Sequence, residues 1–199
     1  NTTELEHQCL YFAKGELARQ KEKDDKKAME MYMKAIHITL PDFDGKNPLR
    51  NNLLTFDEIM IINAIAILHA KADDIMTAVQ LGMWLKKYME EKIVDGTMKI
   101  AKYPMILYNL SNWLGRENCH KEALKMADLG IRFCIRYGNL AFFPILVFNK
   151  GGALAELGKI DQAKKYLHQS VTIFEAMDRP DLIQVATDWC KLHYRIDIQ

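Results

Sequence analysis

The sequence predicts an all-α protein: a right-handed superhelix of tandem antiparallel helical hairpins, with about four hairpins and a C-terminal capping helix. Three observations predict this fold class. Apolar residues recur at i, i+3, i+4 and i+7 through most of the chain, and no strand-like alternation of useful length interrupts them. A seven-residue block occurs twice, 40 residues apart. Pairs of small residues recur at one fixed separation in successive helix pairs.

The first hairpin is predicted over residues 4–40, with helices from Leu5 to about Glu22 and from Lys26 to about Thr39. The stretch from Pro41 to Pro48 is rich in turn residues and is predicted to be a loop. The second hairpin is predicted over 55–92. It begins with Thr55 three residues before Glu58, the spacing of a capping box.

The third and fourth hairpins, over 99–137 and 140–177, contain the repeated block. Residues 103–109 read YPMILYN and residues 143–149 read FPILVFN, so all seven positions match in kind. Beyond them, Pro180 suits the first turn of a last helix over 181–194. The whole chain, 1–199, is predicted to be a single repeat domain.

Small residues explain how the two helices of each hairpin approach closely, because a bulky side chain at the crossing would hold them apart. In each of three hairpins a small residue on the first helix precedes a small residue on the second by twelve positions. The pairs are Ala66 and Ala78, Ser111 and Ala123, and Gly151 and Ala163. Ala28 is the matching small residue in the second helix of the first hairpin.

The composition favours a packed binding protein. Hydrophobic residues make up 49% of the chain and charged residues 27%, which predicts a folded core. The formal net charge of +1 lacks the basic excess that phosphate contacts require, so we expect no direct contact with nucleic acid. No apolar run is long enough to span a bilayer, and no membrane association is expected.

The four cysteines lack CxxC spacing and favour reduced, buried thiols in a cytoplasmic protein. The six histidines form no metal-ligand spacing, and no P-loop, Rossmann or nucleophile-elbow pattern occurs. We therefore expect no cofactor, no metal and no enzymatic activity.

The segments LYNLSNWLG at 107–115, CIRYG at 134–138 and FNKG at 148–151 carry a family resemblance. Together with the repeat, they resemble the C-terminal tetratricopeptide-repeat domain of bacterial helix-turn-helix (XRE-type) transcriptional regulators, a group similar to the peptide-pheromone receptors of quorum sensing. The resemblance extends over about 54–198. It implies a DNA-binding domain that this chain lacks, and a homodimer. Four apolar residues near the end, Trp189, Leu192, Tyr194 and Ile196, fit either a dimer contact or a terminal cap.

The resemblance also implies that asparagines on first helices hold the backbone of a peptide in the concave groove, and the matching positions are Asn63, Asn109 and Asn149. An amide both donates and accepts hydrogen bonds, so it can pair with a peptide backbone of any sequence. The other interpretation is that these amides join neighbouring repeats.

Helical spacing of three, four and seven places further side chains on the same predicted faces. These candidates for ligand binding are Met105, Tyr108, Asn112, Arg116, Phe148 and Lys71. The aromatic rings fit inter-hairpin packing equally, and the basic residues fit plain solvated charges.

The leading hypothesis is a domain that senses a ligand, expected to be a peptide, and dimerises within a transcriptional regulator. Its partner would be a peptide or protein segment in the groove. The alternatives are a general protein-interaction scaffold without a small ligand and, less favoured, a phosphatase built on helical repeats.

Overall fold

The computed structural model describes residues 2–49, 53–92, 94–196 and 198. Within these residues the regular structure is entirely helical, which confirms the all-α class and the four hairpins followed by a last helix. The chain forms two compact units, Asn1–Glu91 and Lys92–Gln199, each described by itself below. The organisation of 1–199 as a single domain stays a prediction.

The first unit contains two hairpins. Helices α1 (Thr2–Leu17) and α2 (Asp25–His37) form the first, and α1 continues into a π-helical turn at Ala18–Glu22. Helices α3 (Phe56–Lys71) and α4 (Ile75–Glu91) form the second, with α2 packed against α3. The predicted capping box is confirmed, since Glu58 N donates to Thr55 Oγ1 at 3.3 Å and Thr55 N donates to Glu58 Oε2 at 2.6 Å.

The second unit contains two hairpins and the last helix. Helices α5 (Gly96–Arg116) and α6 (His120–Tyr137) form its first hairpin, and α7 (Phe143–Glu156) and α8 (Ile160–Ala176) its second. The last helix, α9 (Pro180–Trp189), packs on α8 and continues into a π-helical turn at Cys190–Tyr194. Helix α7 contacts both α5 and α6.

The predicted small residues lie at the helix crossings. Ala28, Ala78 and Ala163 are fully buried, and Ala66, Ser111 and Ala123 are exposed by at most 3%. Gly151 shows why the size matters: a Cβ atom added there would lie 2.7 Å from Leu167 Cδ2, too close for any real side chain. The first hairpin achieves the same approach at Gly15, which faces the ring of Tyr32.

One turn geometry recurs after helices α3, α5, α7 and α8. In each case the second residue after the helix has a positive φ, and the backbone N–H of the next residue donates to the carbonyl five residues before it, as in a Schellman motif. The positive-φ residues are Asp73, Asn118, Gly158 and Asp178. The donor-to-carbonyl distances are 2.9, 2.9, 2.9 and 3.0 Å in the same order.

Pro104 lies inside α5, whereas its counterpart in the repeat, Pro144, lies in the first turn of α7. A proline in a helix interior has no N–H for the carbonyl four residues earlier, which here belongs to Ile100. Asn139 Nδ2 donates to that carbonyl at 2.7 Å. A side chain from the loop after α6 therefore satisfies the carbonyl that the proline leaves open.

The prediction of four buried thiols is wrong for two cysteines. Cys134 and Cys190 are buried, and burial raises the pKa of the first to about 11 and of the second to about 12. Cys9 and Cys119 are exposed. Cys9 lies on α1, where its Sγ donates to Asp57 Oδ2 at 3.9 Å, and Cys119 lies in the turn before α6, so both thiols stay at the surface.

Replacing Gly151 with alanine tests the close helix approach. The added methyl group overlaps Leu167 and its backbone nitrogen, so Gly151→Ala is expected to lower the free energy of unfolding by about 1–3 kcal/mol, measured by urea denaturation. Gly115→Ala is the matched control, because no atom lies within 4 Å of the added Cβ. There the better helix propensity of alanine should be neutral or stabilise by up to about 1 kcal/mol. Equal effects of the two substitutions would contradict the packing described.

Candidate functional site

A cavity of about 500 Å³ opens in the second unit between α5, α7 and α9. Its walls combine aromatic rings, amides and a few charged groups. The lining residues are Tyr108, Ser111, Asn112, Gly115, Arg116, His120, Ala123, Ile145, Phe148, Asn149, Gly152, Ala153, Glu156, Val185, Trp189, His193 and Tyr194.

The two main walls are equivalent faces of two first helices. On α5 the lining residues run from Tyr108 to Arg116, and on α7 they run from Ile145 to Glu156, in both cases at spacings of three and four. This spacing places them on one side of each helix. Positions 40 residues apart in the sequence are equivalent in the two helices: Tyr108 corresponds to Phe148, and Arg116 to Glu156.

Asn149 joins these two walls. Its Nδ2 donates to Ser111 Oγ at 2.7 Å and to the Tyr108 carbonyl at 3.3 Å. Ser111 Oγ in turn donates to the same carbonyl at 2.8 Å. The amide nitrogen therefore bridges neighbouring hairpins.

Charged side chains gather where α5 and α7 end and α6 begins. Arg116 is the last residue of α5, His120 the first of α6 and Glu156 the last of α7. His120 Nε2 lies 3.9 Å from Glu156 Oε2. His120 Nδ1 is buried and has no hydrogen-bond partner among the described residues. The cavity thus has a charged end and, towards Tyr108 and Ile145, a more apolar one.

Aromatic rings are held in place by stacking. Tyr108 stacks on Phe142 with ring centroids 6.0 Å apart, and Trp189 stacks on His193 at 4.0 Å. Burial raises the pKa of Tyr108 and of Tyr194.

The π-helical turn at Cys190–Tyr194 is held in place by two buried isoleucines that follow it in the sequence. Ile196 and Ile198 are only 2% and 1% exposed, and they join a core with Leu167 and Phe174 of α8. This anchor fixes the turn at Cys190–Tyr194 over α7. Gly152 allows the close approach, because a Cβ atom there would lie 2.7 Å from Tyr194 Oη.

The structure brings five of the nine predicted ligand-binding residues to this cavity: Tyr108, Asn112, Arg116, Phe148 and Asn149. Met105 and Asn109 lie on the same helix, α5, but outside the cavity, and Asn109 is only 7% exposed.

The other two predicted residues belong to the first unit. Asn63 is buried at 4% exposure in α3, and the exposed Lys71 Nζ lies 2.6 Å from Asp25 Oδ1. A role in ligand binding stays a prediction for all nine residues.

The prediction omitted the contribution of α9 and the turn after it, namely Val185, Trp189, His193 and Tyr194. The sequence indicates this segment only as a cap or a dimer contact. The spacing of four from Val185 to Trp189 and from Trp189 to His193 was the available signal, since it marks one helix face.

The tetratricopeptide-repeat family model matches residues 146–176. The match covers most of α7 and all of α8, so this hairpin is a repeat of the tetratricopeptide type, and the predicted repeat class is confirmed there. Repeats of this type commonly bind protein or peptide partners and typically serve as non-enzymatic scaffolds. No curated protein and no solved structure matches the chain.

Among the described residues, no helix combines the length and apolar character that crossing a membrane requires. The same residues contain no cluster of three or more His, Cys, Asp or Glu side chains placed to hold a metal ion.

Asn149→Ala and Asn112→Ala separate a structural amide from one that only faces the cavity. Removing Asn149 breaks two hydrogen bonds between hairpins, so the free energy of unfolding should fall by about 1–2 kcal/mol in chemical denaturation. Asn112 is exposed, and its loss should change stability by less than about 0.5 kcal/mol. A smaller loss for Asn149→Ala than for Asn112→Ala would show that the bridge does not stabilise the fold.

Proposed function

We propose that the second unit binds a peptide, either free or as a segment of a partner protein, in the cavity between α5, α7 and α9. The observation that carries the proposal is the meeting of five predicted ligand residues on the walls of one cavity. Its volume of about 500 Å³ suits several side chains of an extended peptide.

The chemistry of the walls supports a peptide ligand. Tyr108 and Phe148 offer apolar area to side chains, and Asn112, an exposed amide, offers both a donor and an acceptor to a peptide backbone. An amide oxygen such as Asn149 Oδ1 can also accept a hydrogen bond from a backbone N–H.

We further propose that this unit senses the peptide and dimerises within a helix-turn-helix transcriptional regulator. This rests on the sequence resemblance. Bound peptide would favour one arrangement of the repeats over another and so shift the position of attached DNA-binding domains.

One exposed apolar residue outside the cavity lining supports the proposed dimer: Leu192, in the turn after α9, is 77% exposed. Ile196, which the sequence suggested as a dimer residue, is instead buried within its own chain and does not belong to that surface. Sedimentation equilibrium of the chain checks the dimer, and a purely monomeric distribution at high concentration would contradict it.

A protein-interaction scaffold that binds partner proteins without sensing a small peptide is the second candidate. The tetratricopeptide-repeat match at 146–176 favours it, because such repeats serve this purpose in many proteins. The two candidates share one binding cavity and differ in whether the ligand is a free peptide and in what binding controls.

A peptide-binding assay with matched variants tests the proposed cavity. The full chain is screened against an array of random peptides, and affinities for the best binders are measured by fluorescence anisotropy. Asn112→Ala should weaken binding roughly threefold to tenfold, the effect of losing one hydrogen bond. Gln162→Ala, an exposed amide on α8 outside the cavity, is the control and should leave the affinity unchanged. Equal affinities of both variants and the unmodified chain would place the peptide site elsewhere.

A further inference from the structure

We propose that Val185 and Trp189 of α9 determine the specificity of the cavity: they select peptides that place a bulky apolar side chain between α9 and α7. The inference rests on the proposed function, because it takes the cavity as the peptide site. Three observations support it: two exposed apolar residues on the last helix face the cavity, one of them is held in a fixed position, and the other end of the cavity has mixed charge.

The side of α9 that faces the cavity is apolar. Val185 and Trp189 line the cavity, although they are 64% and 45% exposed. Their spacing of four places them on one face of the helix. The last helix of a repeat array generally keeps a polar outer face, because no further repeat covers it. Single exposed apolar residues are ordinary, whereas a pair that faces one cavity indicates a surface that a ligand covers.

The polar residues of α9 lie on another side of the helix. Gln184 Nε2 donates to Asp188 Oδ1 at 2.8 Å, and both residues are exposed. Ala186 and Cys190 form the buried side. The helix therefore separates a packing face, a solvated face and an apolar face towards the cavity.

The wall of the cavity on α7 is apolar as well. Ile145 and Phe148 are half-buried, pack against the core of the second unit and line the same cavity. A bulky apolar side chain between α7 and α9 would remove water from both walls at once. The removal of apolar area from water is the main favourable contribution to such binding.

Trp189 is held in position by the turn that follows α9. Its ring stacks on His193 with centroids 4.0 Å apart. Burial raises the pKa of Tyr194, and a hydrogen bond from the Trp189 side chain opposes that rise. The Tyr194 hydroxyl lies over α7, 2.7 Å from the place of a Cβ atom on Gly152. A ring that is already fixed loses little conformational freedom when a ligand covers it, which favours binding.

The polar groups of the cavity provide no comparable selection. Arg116 and Glu156 place both signs of charge at the charged end. Asn112 can pair with the backbone of any peptide, whatever its side chains. The apolar walls are therefore the part of the cavity that distinguishes one peptide from another.

The test compares neutral peptides of one length by NMR titration of the full chain. The probes are acetylated and amidated pentapeptides with alanine at every position except the central one, which is phenylalanine, leucine, asparagine or alanine. Leucine and asparagine have similar shapes and opposite polarity. The signal followed is the Trp189 indole N–H, assigned from its absence in Trp189→Phe.

The phenylalanine and leucine probes should each bind roughly tenfold more tightly than the asparagine and alanine probes. Val185→Thr keeps the branched shape and removes one methyl group from the wall, so it should weaken binding of the apolar probes roughly threefold to fivefold. The asparagine probe should be affected far less. Ile135→Thr, at a 63% exposed position on α6 outside the cavity, is the matched control and should leave every affinity unchanged.

Three results would overturn the proposal: equal binding of apolar and polar probes, unchanged binding of the apolar probes by Val185→Thr, or no binding of any probe. Weaker self-association of Val185→Thr in sedimentation, with unchanged probe affinity, would make this face a contact between two copies and would also contradict it. Thermal unfolding of each variant establishes that a lost preference does not reflect a lost fold.

The peptide array separates failure of this proposal from failure of the proposed function. Peptides that bind in an Asn112-dependent manner without a preference for apolar residues would retain the peptide site and remove only the selectivity assigned to α9.

Discussion

The close approach of two helices within each hairpin is the constraint on which the rest of the structure depends. Gly151 and Leu167 illustrate it, since no side-chain atom fits between them. The close crossing fixes the register of α7 against α8, and the contacts of α7 with α5 then place Asn149 within hydrogen-bond distance of Ser111. The cavity walls follow from that register, because residues at spacings of three and four on α5 and α7 face the same space.

Packing and function make different demands on the repeated sequence. Positions at the helix crossings stay small in every hairpin, and the helix ends at Asp73, Asn118, Gly158 and Asp178 share one backbone geometry. On the cavity face, equivalent positions differ in charge, with Arg116 on α5 and Glu156 on α7. A repeat that was identical on this face would offer only one kind of charge. The divergence places both signs of charge at the charged end of the cavity.

Most of the fold was predictable because its signals are local or periodic. The capping box at Thr55, the small-residue pairs and the 40-residue offset between third and fourth hairpins each follow from sequence spacing. The site was predictable only in part. Spacing indicates which side chains share a face, but not how far each face is covered, so Asn109 and Asn149 looked alike although one is buried and the other lines the cavity. The last turn over α7 was not predictable, because its position depends on the burial of Ile196 and Ile198 in a core formed by other helices.

A crystal structure of the chain would show whether the hairpin α5–α6 superposes on the hairpin α7–α8. We predict that residues 103–118 and 143–158 superpose as equivalent helices, that Gly151 touches Leu167, and that Asn149 reaches Ser111 across the same cavity. A structure in which these helices cross at different places, or in which Asn149 and Phe148 face away from Tyr108, would contradict it.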